Sequence, residues 1–285
     1  DIEVIEYKPP IENFIFDNFK IDKLGLEDTI KYSFYNLLSQ KFGVDKIVVK
    51  KDFVENFRVI KNDKEIEKIS KAEEISEKSF IKTLELIKEG TSEKDLSIEL
   101  EYQMKKLGGE KNGFDTIILF GERGVLPHGK PGDRKLKNNK AIIFDFGTIF
   151  NGYHSDCTRT VIFGNMSSDF MEAFNIVKDA QIMGIEYIKE NLKGYEVDGV
   201  SRNYIKDKGY GDYFGHGLGH GVGLEIHERP TLSPRGEEEL KENMVVTIEP
   251  GIYIPNNFGI RIEDLVVVKK DGCLNLTKLD KYIKI

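Results

Sequence analysis

Asp145, Asp156, His220, Glu249 and Glu263 are spread over nearly half of this chain, each inside a short strand-like or glycine-flanked segment. Together they offer four carboxylates and one imidazole. That is more hard oxygen donor than a single divalent ion usually takes, and it suits two neighbouring ions that share bridging carboxylates. So much like charge in one place needs cations to neutralise it. The chemistry such a set serves is hydrolysis assisted by two metals.

Three blocks carry these residues. In the first, Phe144-Asp145-Phe146-Gly147 leads to Gly152-Tyr153-His154-Ser155-Asp156-Cys157-Thr158-Arg159-Thr160. Asn151-Gly152 is a strong hairpin signal, so Asp145 and Asp156 are expected on one face of two paired strands. Asp145 follows the apolar run Ala141–Phe144 and should enter the core, where an unpartnered carboxylate is costly. Asp-Phe-Gly also occurs in kinases, but the glycine-rich loop, lysine strand and catalytic loop of that class are missing. Cys157 should point to the opposite face from Asp156, into packing, and His154 is expected to face solvent.

The second block runs from Gly215 to Pro230, with glycine at every other position from Gly215 to Gly223. This is not dinucleotide-binding spacing. In an extended strand it strips one face of side chains and leaves His216 and His220 together on the other. Three of the chain's five histidines fall in this block. The third block is Thr247-Ile248-Glu249-Pro250-Gly251-Ile252-Tyr253, then Gly259-Ile260-Arg261-Ile262-Glu263-Asp264. Arg261 shares a strand face with Glu263, placing it to orient that carboxylate or to bind substrate charge.

The elements that must hold these blocks are legible as well. Apolar residues recur at helical spacing from Asn62 to Ile87, and Gly90 ends the run. Ser92-Glu93-Lys94-Asp95 has the form of a capping box opening a helix that stops at Gly108-Gly109. Ser168 is expected to cap a long helix reaching Leu192 with Gly194 just beyond, and a shorter helix follows Asp198. Strands are expected at Thr116–Phe120, Ala141–Phe146, Arg159–Phe163, Val245–Glu249, Ile252–Ile254 and Ile262–Val268. Helices beside strands that return by hairpins predict an α+β fold, with helices covering one face of a curved antiparallel sheet.

The 285 residues suffice for a large domain plus a smaller one. Residues 1–57 alternate short β-like pieces (Ile2–Tyr7, Lys46–Val49) with a helix around Thr29–Lys41, and read as a remnant of an N-terminal domain. Residues 58–285 form the main domain. The net charge of −7 and the lack of a basic stripe argue against a nucleic-acid partner. Apolar runs such as Lys140–Phe150 are too short to span a bilayer, and no signal-peptide pattern opens the sequence. Two cysteines make no disulfide framework, which fits a cytoplasmic location.

Taken together, the three blocks resemble the metallopeptidases of the pita-bread fold, over about residues 58–285. The doubled His216 and His220, with Leu224-Glu225-Ile226-His227-Glu228, look like the proline-specific branch, which holds prolidase (Xaa-Pro dipeptidase) and aminopeptidase P. The resemblance implies that Asp145 ligates one ion, His220 and Glu249 mainly the other, and that Asp156 and Glu263 bridge both. The ions implied are manganese or cobalt, with zinc as a third choice. Val125-Leu126-Pro127-His128-Gly129 matches the segment supplying a further active-site histidine, and His227 matches another. By the same likeness His128, His227 and Glu249 act in catalysis, while His216 and Arg261 meet the substrate.

The substrate implied is a short peptide with proline at the second position. The rival readings are aminopeptidase P, which takes longer Xaa-Pro peptides, a metal-free creatinase-like hydrolase, and a binding module of the same fold that has lost its ligands. Retention of all five ligand types speaks against the last two. Members of the group often form homodimers, a state the resemblance leaves open here.

Overall fold

The computed structural model describes residues 4–285 and divides into two units, the first ending at Phe57 and the second covering Arg58–Ile285. The first unit holds α1 (Ile11–Asn18), β1 (Leu24–Glu27), α2 (Tyr32–Phe42) and β2 (Ile47–Lys50), and β1 and β2 pair in parallel. Of the strand expected at Ile2–Tyr7, Ile2 and Glu3 lie outside the described residues, and Val4–Tyr7 form no strand. The short helix α3 (Glu55–Arg58) follows.

In the second unit, α4 (Asp63–Leu84) opens on a reciprocal cap. Asn62 Oδ1 accepts from the Glu65 amide at 3.1 Å, and the Glu65 carboxylate accepts from the Asn62 amide at 2.8 Å. Helix α5 (Glu93–Lys106) begins the same way with Ser92 and Asp95, as its sequence predicts. The chain continues as β3 (Ile117–Phe120), β4 (Lys140–Phe146), the two-residue strands β5 (Ile149–Phe150) and β6 (Tyr153–His154), and β7 (Cys157–Phe163). Next come α6 (Ser168–Tyr187), α7 (Gly194–Asp207), β8 (Gly219–Gly221) and β9 (Glu228–Leu232). The last elements are β10 (Val245–Ile248), β11 (Gly251–Ile254), β12 (Phe258–Arg261), β13 (Asp264–Lys269), β14 (Gly272–Asn275) and β15 (Ile283–Lys284).

One sheet has the order β15-β7-β4-β3, antiparallel except that β15 runs parallel to β7. The other has the antiparallel order β14-β13-β10-β8-β9. Helices α4 and α5 pack on the first through Phe80, Leu96, Leu100 and Met104, and α6 and α7 pack near the second through Phe174, Val177 and Ile205. The Phe80 ring stacks on Phe146 at 5.1 Å and meets Phe144 edge-on at 5.2 Å. A fully enclosed ring in that position is worth about 3–5 kcal/mol against alanine.

Three expectations need correction. Helix α6 ends at Tyr187 rather than Leu192, and its cap is Ser167, whose hydroxyl accepts from the Phe170 amide. Gly194 does not stop that helix but opens α7, which therefore begins before Asp198, and only glycine fits there because a Cβ would lie 2.1 Å from the Thr231 carbonyl oxygen. The strand expected over Ile262–Val268 is broken: Ile262 and Glu263 lie between β12 and β13, and Glu263 instead bridges to Thr158. That bridge ties the two sheets together.

Behind it sits Arg159, completely enclosed. Its guanidinium pairs with Asp264 at 2.7 Å and donates to the main-chain carbonyls of Thr158, Glu263, Leu279 and Asp280. A buried cation of this kind is tolerated only because every donor has a partner. Among the described residues no helix is long and apolar enough to cross a membrane.

Candidate active site

The strand pair β4–β7 supplies the first two carboxylates. Asp145 faces Thr158 across the ladder, and Asp156 stands two residues before Thr158, on the same side of the sheet. The connection is a hairpin within a hairpin: β5 and β6 turn through Asn151 and Gly152 at φ 48° and 81°, both in the left-handed region. His220 comes from β8, Glu249 directly follows β10, and Glu263 sits at the β12–β13 break. Strand β8 can lie this close to β10 because Gly219 has no side chain; a Cβ would stand 2.0 Å from the Thr247 carbonyl oxygen. The expected glycine alternation is therefore a device for backbone approach, and only Gly219–Gly221 is strand.

All five residues line one cavity of about 460 Å³, and so do His128, His216, His227 and Arg261. Ligand atoms of Asp156, His220 and Glu263 lie within 4.8 Å of one another. His220 Nε2 is 3.5 Å from Asp156 Oδ2 and 3.3 Å from Glu249 Oε1. Its Nδ1 faces the Gly221 carbonyl at 3.1 Å. A carbonyl only accepts, so Nδ1 carries the hydrogen and Nε2 presents its lone pair to the carboxylates. That is the tautomer a metal requires.

Burial, and then mutual repulsion, push the carboxyls of Asp156 and Glu263 well above the usual carboxylate range. Burial also raises Asp145, against the opposing pull of Arg261, and lifts Glu249 to about 7. Four acids share one buried guanidinium here, too little positive charge to keep them ionised together. Hard oxygen donors around one neutral imidazole nitrogen, short of cations, are a donor set that fits divalent metal ions.

Each nitrogen of the Arg261 guanidinium makes one hydrogen bond. It donates from Nε to Thr158 Oγ1 at 3.1 Å, from Nη1 to Tyr253 Oη at 3.0 Å, and from Nη2 to Asp145 Oδ2. His216 donates from Nδ1 to the Gly217 carbonyl at 2.8 Å, which leaves Nε2 to accept the Tyr253 hydroxyl proton at 2.9 Å. Burial holds this imidazole at a pKa of about 4, so it is neutral near pH 7. His128 and His227 stand on the cavity wall, and the His227 ring lies 4.3 Å from that of His220.

His154 is not solvent-facing as expected. It is 9% exposed, with its amide donating to the Gly223 carbonyl at 2.9 Å. Cys157 points away from the cavity into the core, as its place next to Asp156 predicts. The residue that sequence reasoning missed is Thr158, whose hydroxyl reaches Glu263 Oε2 at 2.6 Å. The alternation Asp156-Thr158-Thr160 was the available signal, since it puts all three on the cavity side of β7.

The profile described as metallopeptidase family M24 matches residues 67–270. The chain is similar to the Xaa-Pro dipeptidase of Pyrococcus furiosus, 42% identical over 98% of this chain and 82% of that one. Among solved structures it resembles the prolidase of Pyrococcus horikoshii, with a TM-score of 0.92, 41% identity, and coverage of 97% and 80% of the two chains. It also resembles the X-Pro aminopeptidase of Thermotoga maritima, with a TM-score of 0.90, 41% identity, and coverage of 96% and 78%.

Proposed function

The chain belongs to the metallopeptidase family M24, and from that premise we infer that it is an Xaa-Pro dipeptidase, a hydrolase that cuts the bond between an N-terminal residue and proline. Its fold is the pita-bread arrangement of the prolidases. The observation that carries the reading is the convergence of four acids and His220, from both sheets, on one cavity.

We propose that Asp145, Asp156, His220, Glu249 and Glu263 hold two divalent cations, manganese or cobalt in preference to zinc. When bound, the cations polarise the scissile carbonyl and acidify the attacking water. Glu249 takes a proton from water at a carboxylate oxygen and returns it to the leaving nitrogen. That nitrogen belongs to a tertiary amide and brings no N–H of its own. His128 and His227 donate to the carbonyl oxygen as it gains charge, commonly the largest catalytic contribution. Neutral His216, hydrogen-bonded to Tyr253, forms part of the wall against which the dipeptide rests. The free thiols of Cys157 and Cys273 support a reducing, cytoplasmic setting.

The test is proline release from an Xaa-Pro dipeptide by manganese-loaded protein, beside an Xaa-Ala dipeptide and an Xaa-Pro tripeptide. The expected result is cleavage of the Xaa-Pro dipeptide alone, abolished by a chelator. No proline release at any metal loading overturns the reading, and preference for the tripeptide moves it to aminopeptidase P.

A further inference from the structure

His227 hangs in a run of bends from Gly223 that ends where β9 begins at Glu228. Its imidazole can face the cavity only if this loop holds its shape. Two attachments do so. At the start, the Gly223 carbonyl accepts from the His154 amide at 2.9 Å. On either side of His227, Glu225 and Glu228 both turn their carboxylates to one guanidinium: Arg58 Nη1 lies 3.3 Å from Glu225 Oε1, and Nη2 lies 2.8 Å from Glu228 Oε2. Only Ile226 and His227 separate the two anchored acids, and both line the cavity.

We propose that Arg58 is a positioning residue that clamps this loop and thereby aims the His227 imidazole at the substrate carbonyl; this rests on the reading that His227 takes part in peptide hydrolysis. The planar fork of a guanidinium can serve two carboxylates at fixed angles, which a lysine ammonium cannot. Stability is not the purpose of the outer arm. Glu225 is 68% exposed, and ion pairs that wet contribute little. The inner arm is different, since the Glu228 carboxylate is 7% exposed and is also held by the enclosed Lys61. Lys61 therefore keeps Glu228 compensated when Arg58 is removed, and Arg58 variants should fold.

The experiment compares Arg58→Met, Arg58→Lys, His227→Ala and the double variant Arg58→Met/His227→Ala. The expected result for Arg58→Met is a kcat about tenfold lower, as for a misplaced catalytic group, with bound metal and KM nearly unchanged. Arg58→Lys should recover less than half of the loss. In the His227→Ala background Arg58→Met should cost nothing more. An equal loss in both backgrounds overturns the clamp, as does a full recovery by lysine.

A second readout is free of activity. In 15N-histidine-labelled protein, the His227 ring resonance, identified by its absence in His227→Ala, should broaden or split in Arg58→Met. An unchanged resonance overturns the proposal. Silence of His227→Ala in the assay would instead count against the catalytic role of His227, leaving the clamp to be judged by the resonance.

Discussion

The Thr158 hydroxyl and the Glu263 carboxylate lie 2.6 Å apart across the junction of the two sheets, and the same hydroxyl oxygen accepts from Arg261 Nε at 3.1 Å. One threonine thus joins the buried cation to an enclosed carboxylate at a strand break. Thr158→Val keeps the shape and removes both bonds. We expect metal affinity about tenfold weaker by calorimetric titration with Mn²⁺, in line with the usual cost of losing support behind a ligand. Unchanged affinity would show that Glu263 is held by packing alone.

Asp156→Asn and Glu263→Gln should lose metal and hydrolysis together while far-ultraviolet circular dichroism stays the same. The metal-free proteins should also melt higher than metal-free wild type at neutral pH. Both carboxyls are pushed upward by burial and by their neighbours, so a neutral amide removes repulsion that the folded chain otherwise carries. Undiminished hydrolysis of an Xaa-Pro dipeptide by either variant would rule out the proposed ligand set.

His128→Ala should keep its full complement of metal and lose about a hundredfold in kcat, as removing one oxyanion donor typically does. Metal analysis alongside turnover checks this. A variant that came out metal-free, with unchanged turnover per bound ion, would give His128 a different role.

Glu73 is fully enclosed, and burial, with Glu77 second among the raising influences, pushes it up to about 8. Its Oε1 accepts from the Thr277 hydroxyl at 2.6 Å, while Oε2 has no partner. The folded state therefore holds a proton that the unfolded chain releases near pH 4.5. Folding is unpenalised below that value and loses stability as pH rises toward 8, by on the order of 4 kcal/mol across the window. Glu73→Gln keeps the acceptor for Thr277 and abolishes the proton uptake. Its melting temperature should match wild type at pH 4 and exceed it by several degrees at pH 8. A constant difference across that range would contradict the assignment.

How much of this was legible in the sequence depends on whether local chemistry or distant partners decide. The cap at Ser92 and the turn at Asn151-Gly152 are local, and they form where the residues predict. Asp145 followed an apolar run and is buried accordingly. The break at Ile262–Glu263 was hidden because it is imposed by Thr158, some hundred positions earlier, which takes Glu263 as its bridge partner. His154 looked solvent-facing because the Gly223 loop that covers it is far along the chain. Alternation paired Arg261 with Glu263, but nothing nearby in sequence reveals that the guanidinium goes to Tyr253, Thr158 and Asp145 instead.

The enclosure of Arg159 makes residues 279–285 a keystone. Two of the carbonyls that satisfy its guanidinium belong to Leu279 and Asp280, and the Ile285 amide and carbonyl are themselves stitched to Ile162 and Gly164. Losing these few residues would strand a cation in the interior, directly behind the peptide unit of Glu263.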